Sequence, residues 1–106
     1  MSVLSIVVTI TGTGDSSYCY AIINGTKQYS AGTHEVNAGD TITFGVIGNE
    51  YPYRGMVTID GTRVLEVTSW PTKIYNWTVP SGISTVEIKL TYSSKGTYGR
   101  ITVTTA

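Results

Sequence analysis

Charge is scarce in this chain. Seven lysines and arginines balance seven aspartates and glutamates, and only 13% of the 106 residues are charged, against roughly a quarter in ordinary globular domains. A neutral chain without a basic patch is a poor match to phosphate-dominated nucleic-acid binding. One cysteine, Cys19, excludes an intramolecular disulfide and leaves no CxxC pair for zinc. No segment approaches the ~20 apolar residues of a membrane-spanning helix. The opening MSVLSIVVTITG lacks the basic start of a signal peptide. Its alternation Leu4, Ile6, Val8, Ile10 is that of a strand. The chain as given is therefore expected to be made in a cytoplasm without an export signal, although its composition is that of a surface protein.

Helical periodicity is missing too. Apolar residues recur every second position throughout, and turn signals punctuate the chain every eight to twelve residues or so. Strands are predicted over residues 3–11, 17–24, 26–30, a short 34–36, 41–47, 56–60, 63–67, 73–79, 85–92 and 101–105. Asn24-Gly25 and Asp60-Gly61 carry two-residue hairpin chemistry between flanking strands. The inward sets are Ile42, Phe44 and Val46, then Tyr75, Trp77 and Val79, then Val86, Ile88, Leu90 and Tyr92. INGTK at 23–27 echoes IDGTR at 59–63, either as shared hairpin chemistry or as a duplicated hairpin unit. If Val57 and Ile59 face inward, the echo places Cys19, Ala21 and Ile23 inward as well. Tyr18, Tyr20 and Ile22 then face outward, a stripe that must be covered or be functional.

Catalytic groups are few. The single histidine, His34, and Cys19 are the one conceivable base and nucleophile, and nothing around Cys19 suggests an activated thiol. Asp15, Asp40 and Asp60 read as turn residues that bind local backbone, and Glu50, Glu66 and Glu87 are scattered. The glycines flank hairpins rather than open helices, so no phosphate loop is formed. The chain is read as not an enzyme, with no cofactor and no metal. Asn24-Gly25-Thr26 and Asn76-Trp77-Thr78 match the N-glycosylation pattern by chance in a threonine-rich chain.

Aromatics carry more weight: eight tyrosines and two tryptophans stand against one phenylalanine. Trp77, Tyr75 and Tyr92 alternate correctly for a core. Tyr51, Tyr53 and Trp70 fall between strands, and in EYPYR the proline stiffens the backbone while Arg54 offers a charged or stacking contact. The candidate interaction surface is therefore Tyr18, Tyr20, Ile22, Tyr51, Tyr53, Arg54 and Trp70.

The run strand–ING–strand–GTxxVxAGDTITF–loop–IDG–strand covers most of the chain. It resembles the immunoglobulin-like and PEGA-like β-sandwich modules of tailed-phage virions and bacterial surface proteins. The resemblance implies one all-β domain over residues 1–106, an antiparallel immunoglobulin-like β-sandwich of roughly seven to nine strands. It also implies a structural or adhesive role with no catalytic residues carried over. A virion protein made in the host cytoplasm and released by lysis reconciles a surface composition with the missing signal. The expected function is a phage virion component, a capsid decoration or accessory surface protein on the virion surface. Its partners would be capsid or other virion proteins, or further copies of itself. The alternatives are a carbohydrate-binding module that stacks a glycan on Tyr51, Tyr53 and Trp70, and a domain excised from a bacterial adhesin. No nucleic acid and no membrane is expected as partner.

Overall fold

The computed structural model describes residues 5–48, 55–67, 72–81, 85–94 and 97–105. In chain order the strands are β1 (Ser5–Thr13), β2 (Cys19–Ile23), β3 (Thr26–Gln28), β4 (Ser30–Asn37) and β5 (Thr41–Val46). They continue with β6 (Gly55–Ile59), β7 (Thr62–Val67), β8 (Lys73–Thr78), β9 (Val86–Ser94) and β10 (Thr97–Thr105). All pairings are antiparallel, and the described residues contain no helix. One sheet has the order β4-β1-β10-β9-β6-β7 and the other β3-β2-β5-β8. They face each other, β2 against β9 and β10, β5 against β6 and β9. The all-β sandwich expected from the period-two pattern is what forms.

Ten strands form, as many as the residue pattern predicts and more than the roughly seven to nine that the resemblance implies. Two of them meet at a corner. β3 ends the smaller sheet at Gln28 and β4 begins the larger one at Ser30, so Tyr29 alone carries the chain between layers. Its carbonyl accepts the Gly14 amide at 2.7 Å, which fixes the corner.

Alternation along the strands fills the gap between sheets. Val8, Ile10, Cys19, Ala21, Ile23, Ile42, Phe44, Val46, Val57, Ile88, Leu90, Ile101 and Val103 are all buried. Burial of this kind is worth roughly 1.5–3 kcal/mol per large side chain and is the main force closing the sandwich. Cys19, Ala21 and Ile23 point inward, as their echo with Val57 predicted. Asn24 (φ 53°) with Gly25 (φ 80°), and Asp60 (φ 49°) with Gly61 (φ 84°), take the left-handed conformations that tight hairpins require. The echoed pentapeptides thus make the same turn in different sheets.

Two strands begin four residues before their predicted starts. β4 extends back to Ser30 because it pairs with β1 from Ser5↔Asn37 to Thr13↔Ser30, past an irregularity after Ile10. β10 begins at Thr97 because it zips against β9 from Thr97↔Ser94 to Thr105↔Val86. In that ladder Tyr92 sits opposite Gly99. A β-carbon at Gly99 would come within 2.5 Å of the Tyr92 ring, so the ring occupies the space a side chain would fill.

Candidate functional site

The outer face of the smaller sheet is where the tyrosine stripe should lie. Tyr20 and Ile22 do alternate away from Cys19, Ala21 and Ile23, but no open aromatic patch results. Tyr20 is only 8% exposed. It pairs across the sheet with Gly45, and a β-carbon there would overlap the phenol ring, with its oxygen 2.7 Å away. The ring therefore lies on the backbone of β5. From the other side Lys27 places its Nζ 4.4 Å from the ring centroid while donating to the Ser16 carbonyl at 3.0 Å, a cation–π contact held in place by a hydrogen bond. The stripe is covered by its own chain. Tyr18 is also displaced from the expected surface: it is half-buried and packs against the core. Ile22 is half-buried between Lys27 and Thr43.

What this face does expose is Ile74, 55% accessible and opposite Gly45 on β8. Reading parity through KIYNWTV would have found it, since Tyr75, Trp77 and Val79 take the inward positions. Trp77 itself is half-buried, its ring tilted 37° to Phe44 at a centroid distance of 6.3 Å. It borders the core rather than filling its centre.

Tyr51, Tyr53, Arg54 and Trp70 lie outside the described residues, as does Glu50. The points where their segments leave and rejoin the sandwich are described, and they converge. Ile47 donates its amide to the Tyr18 carbonyl at 2.9 Å. The Thr72 hydroxyl donates to the adjacent Ser17 carbonyl at 3.0 Å. Gly55 backs onto Ile47, leaving only 2.6 Å between its would-be β-carbon and the Ile47 carbonyl oxygen. Residues 17–18, 47–48, 55 and 72 thus form one rim at one end of the sandwich. Both aromatic segments, 49–54 and 68–71, start from it.

Cys19 is fully buried, and its thiol lies 3.9 Å from the Leu90 carbonyl, its acceptor. Burial pushes the thiol pKa from 9.0 up to about 12, with a smaller upward push from Asp15. His34 stands on β4 opposite Val8 in the other sheet. Asp15 accepts the Ser17 amide at 2.7 Å and Asp40 the Asn37 amide at 2.9 Å, both as turn residues. Asp60 accepts instead from Glu87 across the sheet at 2.8 Å. Glu66 pairs with Arg63 at 2.6 Å and Glu87 with Lys89 at 3.5 Å. Among the described residues no three histidine, cysteine, aspartate or glutamate side chains gather as a metal site would require.

At the end of the smaller sheet away from the rim, the β2–β3 and β4–β5 turns flank a cavity of about 220 Å³. Asn24, Gly25, Val36, Asp40, Thr41 and Ile42 line it.

No protein-family model, curated protein or solved structure matches the chain. Any functional reading therefore rests on this geometry and on the sequence pattern.

Proposed function

We propose that the chain is a non-enzymatic structural protein of a tailed-phage virion, a capsid decoration or accessory surface protein that works through protein–protein contacts. The observation that carries the reading is the rim. Two neighbouring carbonyls, Ser17 and Tyr18, anchor the bases of both segments that hold Tyr51, Tyr53, Arg54 and Trp70. Tyrosine, tryptophan and arginine are the residues that dominate the energetics of protein interfaces. The turn aspartates and the deeply buried thiol are occupied structurally, which fits a scaffold presenting a contact surface at one end.

The covered stripe narrows the test. Tyr18 and Tyr20 now belong to the fold, so their replacement would report on stability as well as on binding. The discriminating variants are Tyr51→Ser with Tyr53→Ser, and Trp70→Ser, assayed for binding to purified virions lacking the protein. Loss of binding with an unchanged melting profile supports the reading. Wild-type binding by both folded variants overturns the loop surface as the contact, and retention on a glycan array would move the aromatics to the carbohydrate-binding alternative.

A further inference from the structure

A sheet edge carries backbone amides and carbonyls with no neighbour, and proteins protect such edges by shortening, charging, bulging or covering them. The edge strands of the two sheets are β4, β7, β3 and β8. β3 is three residues long and carries Lys27. β4 is capped along its second half, where the Glu35 carbonyl accepts from Asn24 and the Asn37 amide donates to Asp40. β7 leaves Val64 out of its ladder with β6, since Val57↔Leu65 is followed by Thr58↔Arg63. It also carries the Arg63–Glu66 ion pair. β8 is different. It pairs with β5 in unbroken register from Thr41↔Thr78 to Val46↔Lys73, contains no proline, and has its one charge, Lys73, at its first position.

Backbone parity says which groups of β8 are open. Val79 donates its amide to the Asp40 carbonyl and accepts from the Gly39 amide. Directions alternate along a strand, so Trp77, Tyr75 and Lys73 turn their amides and carbonyls toward β5. Ile74, Asn76 and Thr78 turn theirs to the outer edge. The Ile47 amide, which donates to Tyr18 on the β2 side, gives the same parity from β5: Ile42, Phe44 and Val46 point at β8, opposite Trp77, Tyr75 and Lys73. Among the described residues β8 pairs with β5 alone. Ile74, Asn76 and Thr78 are all exposed.

These three positions are complementary to themselves. A two-fold axis through Asn76 sets it opposite Asn76 of a second copy, and Ile74 opposite that copy's Thr78. Each such pair exchanges both its backbone hydrogen bonds, and β-branched residues such as isoleucine and threonine suit cross-strand contact. The Asn76 Oδ1 accepts the Thr43 hydroxyl at 2.7 Å and keeps a second lone pair, while Nδ2 brings donors. Another Asn76 offers the matching groups. Charge agrees, because the antiparallel two-fold sends the two Lys73 side chains to opposite ends, about 20 Å apart. A formal net charge of zero sets no overall repulsion between copies. We infer that β8 pairs with β8 of a second copy of this chain, antiparallel about Asn76, joining the two smaller sheets into one continuous sheet. The inference goes beyond the proposed function and stands on the open edge alone. A single strand edge is small beside the ~1,200 Å² at which stable interfaces begin, so the dimer is weak and forms at high concentration.

Sedimentation equilibrium of the full chain from about 10 μM to about 1 mM, the range of weak association, tests it. The mass should rise from 11.4 kDa toward that of a dimer. Asn76→Lys and Asn76→Asp each place like charges on the axis and should weaken self-association by about fivefold or more. An equimolar mixture of the two should restore it. Ile74→Lys, at a position 55% exposed, should weaken it without disturbing the fold, and Thr33→Lys on the β4 edge should leave it unchanged. Melting profiles confirm that each variant is folded. A wild type that stays at 11.4 kDa throughout overturns the self-pairing and leaves the edge to a strand of a different protein. A dimer indifferent to Ile74→Lys overturns β8 as the contact. A mixture that associates no better than its components overturns the two-fold at Asn76.

Discussion

The Tyr20 ring rests on the backbone of Gly45, the residue paired with it across the β2–β5 ladder. Tyr92 and Gly99 repeat the relationship in the larger sheet, this time facing the core. In each pair glycine is needed for the space it leaves, since neither has a positive φ. Gly45→Ala should evict the Tyr20 ring from its bed and destabilise by about 1–3 kcal/mol, the usual cost of overpacking. Gly99→Ala should cost more, because its β-carbon would also meet the Thr13 carbonyl at 3.2 Å, backbone that cannot swing aside. Denaturant melts measure both. Unchanged midpoints would show that the rings do not lie where described.

Cys19 should be inert in the native state. With its pKa raised to about 12 by burial, the thiolate needed for alkylation is essentially absent at neutral pH. Iodoacetamide should label it only on unfolding. Because the folded value exceeds the unfolded one, the native state holds its proton while the unfolded chain releases it. The associated stability is complete below pH 9 and is lost as pH rises from there through about 12. Cys19→Ala should flatten that alkaline decline. An equally steep decline in the variant would assign it to other groups.

Trp77 borders the core beside Phe44. Truncation to alanine should cost about 2–3 kcal/mol, short of the ~3–5 kcal/mol that a centrally buried ring commands. A loss under about 1 kcal/mol in a urea melt would mark the indole as surface and return it to the binding candidates.

The two hairpin turns make a matched experiment. Asp60 donates its amide to the Glu87 carbonyl at 2.7 Å and accepts the Glu87 amide through its side chain, pinning the β6–β7 turn to β9. Asp60→Ala removes the side-chain acceptor at a left-handed position and should cost about 1–2 kcal/mol. Asp60→Asn, which keeps an acceptor oxygen, should be nearly neutral. Asn24→Ala should cost a similar amount through loss of the Glu35 contact. Equal melts for Asp60→Ala and Asp60→Asn would show that the carbonyl oxygen at position 60 has no role.

How far the sequence was readable depends on whether the relevant partner is local. Side-chain parity on β2, β5 and β9 is a property of adjacent residues, and it located the buried face of each. The NG and DG turns are equally local. β4 was legible only as a short run at 34–36, because Ser30 to Thr33 is exposed throughout and shows no alternation. What makes it a strand is the ladder to β1, far away in sequence. Tyr20 shows the same limit: its outward direction follows from parity, but its cover depends on Gly45 and Lys27 arriving through cross-strand register. The cavity needed the β2–β3 hairpin turn to meet the β4–β5 connection between the sheets. Neither spacing nor composition announces such a meeting.

The corner at Tyr29 gives the two layers unequal freedom. A single residue between Gln28 and Ser30 keeps their α-carbons within about 7 Å of one another. The sheets are therefore bound along that side like pages at a spine. At the opposite margin β7 and β8 belong to different sheets, and the connection from Val67 to Lys73 allows up to about 20 Å. At that fore-edge β7 and β8 are held together by packing, so separation of the layers there meets no covalent limit until the connection is drawn out.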